Sequence, residues 1–282
     1  MALKLLVAGL LEHDSGKTWL AAALASAASR RGLRGAAYKP VGGFNMWHSY
    51  WAFRESLEER VLAGGDAWTY VRLLGLSPDR VNPIALLLAP RDPTRYPGPA
   101  MYASEMESLE KSLALARVSR CGDGERLHLF FPQALEKAPT LVADELRRAA
   151  RLLGAAEGEP RRFLDWLSSR DASKLLDECL SSLEAGSDLV VVESFNDAAV
   201  PYIGSISYDF VVVAAPGKAL LYSGDRLAAV MNLLEPSTPP RVGRILNLLG
   251  KPLHVEDLPP ASELEEYIRK VEDTRLASLV SG

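Results

Sequence analysis

Cysteine is nearly absent from this chain. Only Cys121 and Cys179 occur in 282 residues, far apart and without metal-ligand spacing. They are expected to be reduced thiols, which points to a cytoplasmic protein. Long apolar runs are missing as well. None approaches the ~20 residues of a membrane span, and the first residues lack the pattern of a secretory signal. There is no excess of positive charge. Lys and Arg number 32 against 36 Asp and Glu, a formal net charge of −4, so no general affinity for nucleic acid is expected. No internal repeat or low-complexity tail breaks the chain. What remains is a sequence with 48% hydrophobic and 24% charged residues, ordinary for a globular protein. Its length suits one large α/β domain, with or without an insertion.

The informative stretch is Leu5 to Ala25, LLVAGLLEHDSGKTWLAAALA. Leu5 to Gly9 reads as a buried strand, and the Ala/Leu-rich segment from Thr18 to about Arg31 as a helix. Between them Glu12, His13, Asp14 and Ser15 lead into Gly16-Lys17-Thr18, the end of a phosphate-binding loop. The chemistry is local. Amides at a helix N-terminus point at an anion, and the helix dipole adds partial positive charge. Lys17 would reach the β- and γ-phosphates, and the Thr18 hydroxyl would hold Mg²⁺. The strict pattern puts a glycine where this chain has Leu11, and the nearest glycine is Gly9. A solvated lysine in a surface turn is the plain alternative.

Further along, strand-like and helix-like segments alternate, which predicts a doubly wound, mostly parallel sheet. Arg34 to Tyr38 is a strand ending at Lys39, where an open parallel sheet binds its ligand. Lys39 is there either an anion ligand or a solvated loop lysine. Asn45 to Ala63 holds Trp47, His48, Tyr50, Trp51 and Phe53, as an active-site loop or a packed amphipathic helix. Asp66 is an N-cap candidate to be weighed against a metal ligand. Val81 to Leu88 is apolar, and prolines from Pro90 to Pro99 mark a loop.

Residues 100–185 read as charged and largely helical, with a hairpin around Cys121 to Glu125 joining ALARVSR to RLHLFF. Within LVADELRRAARLLGAA, Leu141, Leu146, Ala149 and Leu153 keep helical spacing. Leu189 to Val192 is a strand buried on both faces, closed by Glu193. Tyr208 to Ala214 is another strand. Gly217 to Leu234 reads as a helix, Arg241 to Asn247 as a strand, and Leu253 to Val255 as an edge strand. A last helix runs from Ser262 to Val271, with Ser262 and Glu265 forming a capping box.

The ordered set of features resembles dethiobiotin synthetase and its relatives among the deviant P-loop proteins. The set comprises the loop ending Gly16-Lys17-Thr18, the Tyr38-Lys39-Pro40-Val41 turn, Asp66 opening a helix, Val81-Asn82-Pro83, Leu189 to Glu193, and Ile245-Leu246-Asn247. It covers about two thirds of the chain.

The resemblance implies a P-loop NTPase fold over residues 1–282, with 100–185 an insertion atypical of the family, in a cytoplasmic homodimer that uses ATP and Mg²⁺. It assigns Lys17 to the phosphates and Lys39 to the transferred phosphoryl group. Thr18, Asp66 and Glu193 would hold the metal. Glu12 and Asp14 fall at the family's acidic loop positions, and Asn247 where an asparagine reads adenine. Together with His13, Ser15 and Gly16, the loop residues and Asn247 make up the expected nucleotide site. The family's small polar residues after Lys-Pro-Val are replaced by Gly42-Gly43-Phe44, and its glycine-rich loop after the glutamate by Ser194 to Asp197. The nucleotide half is retained and the substrate half rewritten. The expected activity is ATP-dependent activation of a small carboxylate- or carbamate-type substrate by phosphoryl transfer, with Lys17 and Lys39 catalytic. The alternative is a dimeric ATPase switch of the partitioning or regulatory type.

Overall fold

A computed structural model describes residues 2–122, 124–204 and 207–280. The chain begins with β1 (Leu3–Gly9), α1 (Lys17–Arg30), β2 (Gly35–Tyr38), β3 (Val41–Asn45), α2 (Tyr50–Glu58), α3 (Gly65–Leu74), α4 (Pro78–Val81) and β4 (Ile84–Leu88). It continues through α5 (Pro99–Glu107), α6 (Leu109–Ser112), β5 (Leu113–Ser119), β6 (Arg126–Phe130), α7 (Thr140–Leu152), β7 (Ala156–Glu157), α8 (Pro160–Leu167) and α9 (Arg170–Glu184). It closes with β8 (Leu189–Glu193), β9 (Phe210–Ala215), β10 (Lys218–Ser223), α10 (Gly224–Leu234), α11 (Val242–Leu249), β11 (His254–Asp257), α12 (Leu264–Glu272) and α13 (Arg275–Val280).

The protein is α/β, built on two mixed sheets rather than the single doubly wound sheet expected. The first runs β11-β10-β9-β1-β8-β2, the second β3-β4-β5-β6-β7. In the first, β2, β8, β1 and β9 are parallel. Both faces of these strands are covered, which explains their unbroken apolar runs. Leu5, Val7, Leu189 and Val191 face one apolar cluster, and Leu6, Ala8, Val190 and Val192 the other. Helix α1 packs against β8 and β2 on one side and α12 on the other, so Leu20 to Ala28 are all buried. A helix apolar all round is a buried helix, and its alanines let both neighbours approach. The first cluster also takes in Ala85, Leu87, Ala114 and Leu115 of the second sheet, so the two sheets share packed apolar side chains.

The chain passes between the sheets at Lys39-Pro40. The Lys39 amide donates to the Val81 carbonyl at 2.7 Å, and the Ile84 amide to the Pro40 carbonyl at 3.1 Å. The buried Asn82 side chain donates to the carbonyls of Lys39 and Ile84, each at 2.8 Å. These bonds fix the backbone that presents Lys39.

Several expectations are corrected. Gly217 to Leu234 is not one helix. Pro216-Gly217, with Gly217 at φ 73°, makes the tight reversal that lets β10 pair antiparallel with β9. Arg241 to Asn247 is not a strand. Val242, Ile245 and Leu249 recur at helical spacing and are the buried face of α11. Residues 100–185 hold α6 to α9 and most of α5, but β5, β6 and β7 within them complete the second sheet; the β5–β6 hairpin forms as expected. Leu141 is 83% exposed, since the buried face of α7 begins one residue later at Val142. The Ser262 amide and hydroxyl bond Glu266, not Glu265. The edge strand is present as β11. Among the described residues no helix is long and apolar enough to cross a membrane.

Cys121 and Cys179 are not free thiols but a disulfide, with a sequence separation of 58. It ties the β5–β6 turn to α9, two places that are distant in sequence and adjacent in the fold. The thiol argument for a reducing compartment therefore falls. Cross-linking a loop of this length stabilises a fold by roughly 2–4 kcal/mol. Replacing both cysteines by serine should lower the melting temperature measured by calorimetry, and reductant should lower it in the native chain but not in the variant.

The second sheet carries its own buried ionic cluster. Arg117, fully buried, donates to Asp79 at 2.8 Å and also to the Asn82 carbonyl. Burial opposes the charge on Asp79, but Arg126 and Arg117 outweigh it and bring its pKa down to about 2. Next to them His128 is buried and accepts the Leu62 amide at 3.3 Å. Burial, and then the charges of Arg117 and Arg126, push its pKa down to about 4. Between about pH 4 and 6.5 the unfolded chain therefore binds a proton at His128 that the folded chain refuses, so the contribution of His128 to stability rises with pH there. On acidification across that window the native chain should lose more stability than His128→Gln, by an amount on the order of 3 kcal/mol, read by chemical denaturation.

Candidate functional site

The site lies at the carboxyl ends of β1, β8 and β2, where ligands of open parallel sheets sit. It is built around Glu193, the last residue of β8, which is buried. Three donors converge on its carboxylate. The Thr18 hydroxyl, in the first turn of α1, donates to Oε1 at 3.0 Å. The Lys39 ammonium, just past β2, donates to the same oxygen at 2.6 Å and to the Ser194 carbonyl at 3.0 Å. The fully buried Tyr70 hydroxyl donates to Oε2. Three donors on two oxygens suit a carboxylate, which only accepts. Asp66 completes the group with an ion pair to Lys39 at 3.3 Å.

The loop from Gly9 to Thr18 leads from β1 into α1 and ends beside this group at Thr18. Ser15 is buried, and its hydroxyl oxygen accepts from the Leu11 amide and lies 2.9 Å from the Leu11 carbonyl, to which it can donate. Asp14 and Gly16 both take left-handed backbone, at φ 57° and 76°; alternating conformations of this kind turn successive amides inward. No side chain caps α1 at Gly16, and its first turn carries no acidic residue. The helix thus keeps its N-terminal amides for a ligand. A Cβ on Gly9 would lie 2.8 Å from Lys17 Nζ and 2.9 Å from Ser15 Oγ. Only glycine lets the loop fold back this closely on the end of β1, which gives Gly9 its role without the strict spacing.

The charges are unusual for a protein interior. Burial, and then repulsion by Lys39, lower the pKa of Lys17. Burial works against Lys39 too, but Glu193 and Asp66 outweigh it and hold its pKa up. Burial lifts the Glu193 carboxyl above its ordinary value, opposed by Lys39. A buried ion pair loses several kcal/mol of hydration per ion and is weak evidence for stability. Two ammonium groups that repel each other beside an open helix N-terminus make sense as an anion site. The Asp79–Arg117 cluster is the contrast: it joins α4, β5 and β6 through side-chain bonds, with an acidic group, Asp79, in the first turn of α4.

The expected site residues fall into three groups. Lys17, Thr18, Lys39, Asp66 and Glu193 are brought together. Asp66 is not an N-cap: Gly64 holds that position, and Asp66 lies in the first turn of α3 with its carboxylate on Lys39. Ser15 and Gly16 shape the loop, while Glu12, His13 and Asp14 are exposed along its outer side. For Asn247 it is the element that is corrected. The residue sits on the exposed side of α11 rather than at a strand end, because that segment is helical. Tyr70 was missed. The signal was its spacing from Asp66: residues four apart share one face of a helix, and α3 delivers both.

Among the described residues no group of three His, Cys, Asp or Glu is arranged to hold a metal. Mg²⁺ does not require one, since it is held by one or two carboxylates with water and phosphate oxygens. Thr18 and Glu193 have oxygens of the right kind within one hydrogen bond of each other. Two cavities, of about 610 and 440 Å³, lie elsewhere. One is lined by Tyr202, Tyr208 and Met231, the other by Phe130, Arg147 and Arg151. No protein-family model matches the chain, and no curated protein matches it either.

Tyr70→Phe removes one donor from a buried carboxylate and leaves the ring in place. It should cost about 1–3 kcal/mol of stability by denaturant titration, with Glu193 rising further in pKa. Unchanged stability would mean that Oε2 finds another donor.

Proposed function

We propose that the chain binds Mg-ATP on the Gly9–Thr18 loop as a P-loop protein, and transfers a phosphoryl group to a small carboxylate- or carbamate-type substrate beside Lys39. The observation that carries this reading is the convergence of Thr18, Lys39 and Tyr70 on Glu193, next to Lys17 and the uncapped start of α1. Phosphoryl transfer needs positioning and charge stabilisation more than covalent help. Lys17 and the loop amides would hold the β- and γ-phosphates. Thr18, Glu193 and Asp66 would hold Mg²⁺, which when bound neutralises charge on those phosphates. Lys39, fixed by the joint between the two sheets, would face the transferred group, where its charge is worth most in the transition state. The family resemblance to dethiobiotin synthetase supports the same assignment. The altered segments Gly42-Gly43-Phe44 and Ser194 to Asp197 support a different second substrate, since the Phe195 ring packs over Gly43, 2.9 Å from where a Cβ would stand.

A second reading, the dimeric ATPase switch, draws on one observation. Trp47 and Trp51 are 72% and 48% exposed, and Trp51 packs against Gly65, next to Asp66. Aromatic surface this close to a nucleotide site suits a partner or a second copy.

Lys17→Ala should abolish detectable ATP binding by calorimetry. Lys39→Ala should bind ATP within a few-fold of the native chain yet turn it over at least about 100-fold more slowly with the best metabolite found, a loss confined to the transition state. It should also melt earlier, because Glu193 loses a buried partner, so turnover is read well below the melting point. Arginine at 39 should restore little, since a planar fork does not replace a compact ammonium. If no metabolite stimulates turnover but gel filtration shows ATP-dependent association, the switch takes the place of the synthetase.

A further inference from the structure

Around the mouth of this site one cation is not committed to the buried network. Arg241 precedes α11, its side chain is 66% exposed, and it reaches two carboxylates on two different loops. Its guanidinium lies 3.8 Å from Glu12, on the outer side of the Gly9–Thr18 loop, and 3.5 Å from Asp197, on the segment after Glu193. The backbone under it is held firmly. Arg241 and Ala198 form an isolated antiparallel bridge. The Val242 amide donates to the Asp197 carbonyl at 2.7 Å, and the Ala199 amide to the Pro240 carbonyl, also at 2.7 Å. Asp197 is close enough to Lys17 to act on its charge. Arg241 therefore stands one carboxylate away from the lysine that meets the phosphates.

We propose that Arg241 is a binding residue for the polyphosphate of the nucleotide, resting between Glu12 and Asp197 until the anion arrives. The proposal rests on the phosphate-loop reading above and adds a third cation to Lys17 and Lys39. The physical argument is one of competition. The 3.8 Å contact to the exposed Glu12 holds little energy, because water screens it, and the 3.5 Å contact to the largely buried Asp197 is longer than a charge-assisted hydrogen bond. A polyphosphate offers several charged oxygens in the geometry that a guanidinium fork matches bidentately. The long side chain pivots on a fixed backbone, so the exchange needs no movement of the fold. The exposed Glu12 side chain turns to solvent when Arg241 leaves it.

The test is calorimetric titration of the full chain with Mg-ATP, Mg-ADP and AMP, at low and moderate salt. Arg241→Ala should weaken Mg-ATP binding about tenfold, as expected when one charge-assisted contact is lost, and AMP binding much less. Arg241→Lys should fall between the two. Asp197→Asn should tighten Mg-ATP binding in the native background, and the gain should shrink in the Arg241→Ala background, a coupling that a merely structural ion pair does not produce. The surface position makes loss of folding no confounder, which equal melting temperatures would verify. If the native chain binds Mg-ATP, Lys17→Ala abolishes that binding, and Arg241→Ala leaves it unchanged, this inference fails and the phosphate-loop reading stands. If the native chain binds no nucleotide, both fail.

Discussion

The contact between Lys39 and Glu193 is the constraint on which the rest of the site depends. Neither charge belongs in a protein interior, and each is tolerable there because the other lies 2.6 Å away. Meeting that requirement takes four elements of the fold. β8 ends at Glu193, β2 ends one residue before Lys39, α1 brings Thr18, and α3 brings Tyr70 and Asp66 from one face. Any shift of one element against another would leave a buried charge without its partner. The network thus reports on the packing of the first sheet with α1 and α3.

The second sheet has a direct part in this. Lys39 sits where the chain leaves the first sheet for the second, and Asn82 pins its carbonyl from the far side of that joint. Asn82 is in turn bonded through its own carbonyl to Arg117, the centre of the buried cluster in the second sheet. Two ionic clusters with different characters are therefore linked through one asparagine. The Asp79 cluster uses its charges up in bonds between elements. The Glu193 cluster retains Lys17, whose charge burial and Lys39 both disfavour, beside a helix end with no cap. A bound anion would stabilise that group and not the other. The disulfide at the β5–β6 turn adds a covalent tie between the second sheet and α9; α9 packs beneath β8.

Much of the parallel core was legible in the sequence, and for an identifiable reason. The strands from Leu5, Ala36, Val190 and Val211 are covered on both faces, so their apolar runs are continuous and unmistakable. The Gly-Lys-Thr signature and a charged residue closing a buried strand are local features that carry their chemistry with them. The same holds for the hairpin around Cys121. The misreadings came where two patterns share a composition. Lys218 to Ser223 was absorbed into the following helix because its reversal rests on Pro216-Gly217 alone. Arg241 to Asn247 has too few apolar residues to separate a strand from one face of a short helix.

The sequence by itself determined that a strand, a turn ending Gly-Lys-Thr and an alanine-rich helix come first. It also placed lysine and glutamate at the ends of later strands. Only the tertiary structure decided that Lys39, Asp66, Tyr70 and Glu193 meet, that the chain divides into two sheets, and that Cys121 reaches Cys179. Each of these is a contact between residues far apart in the chain, formed when the elements carrying them pack. Periodicity and local propensity are properties of neighbours, and they hold no information about which distant strand ends will share one carboxylate.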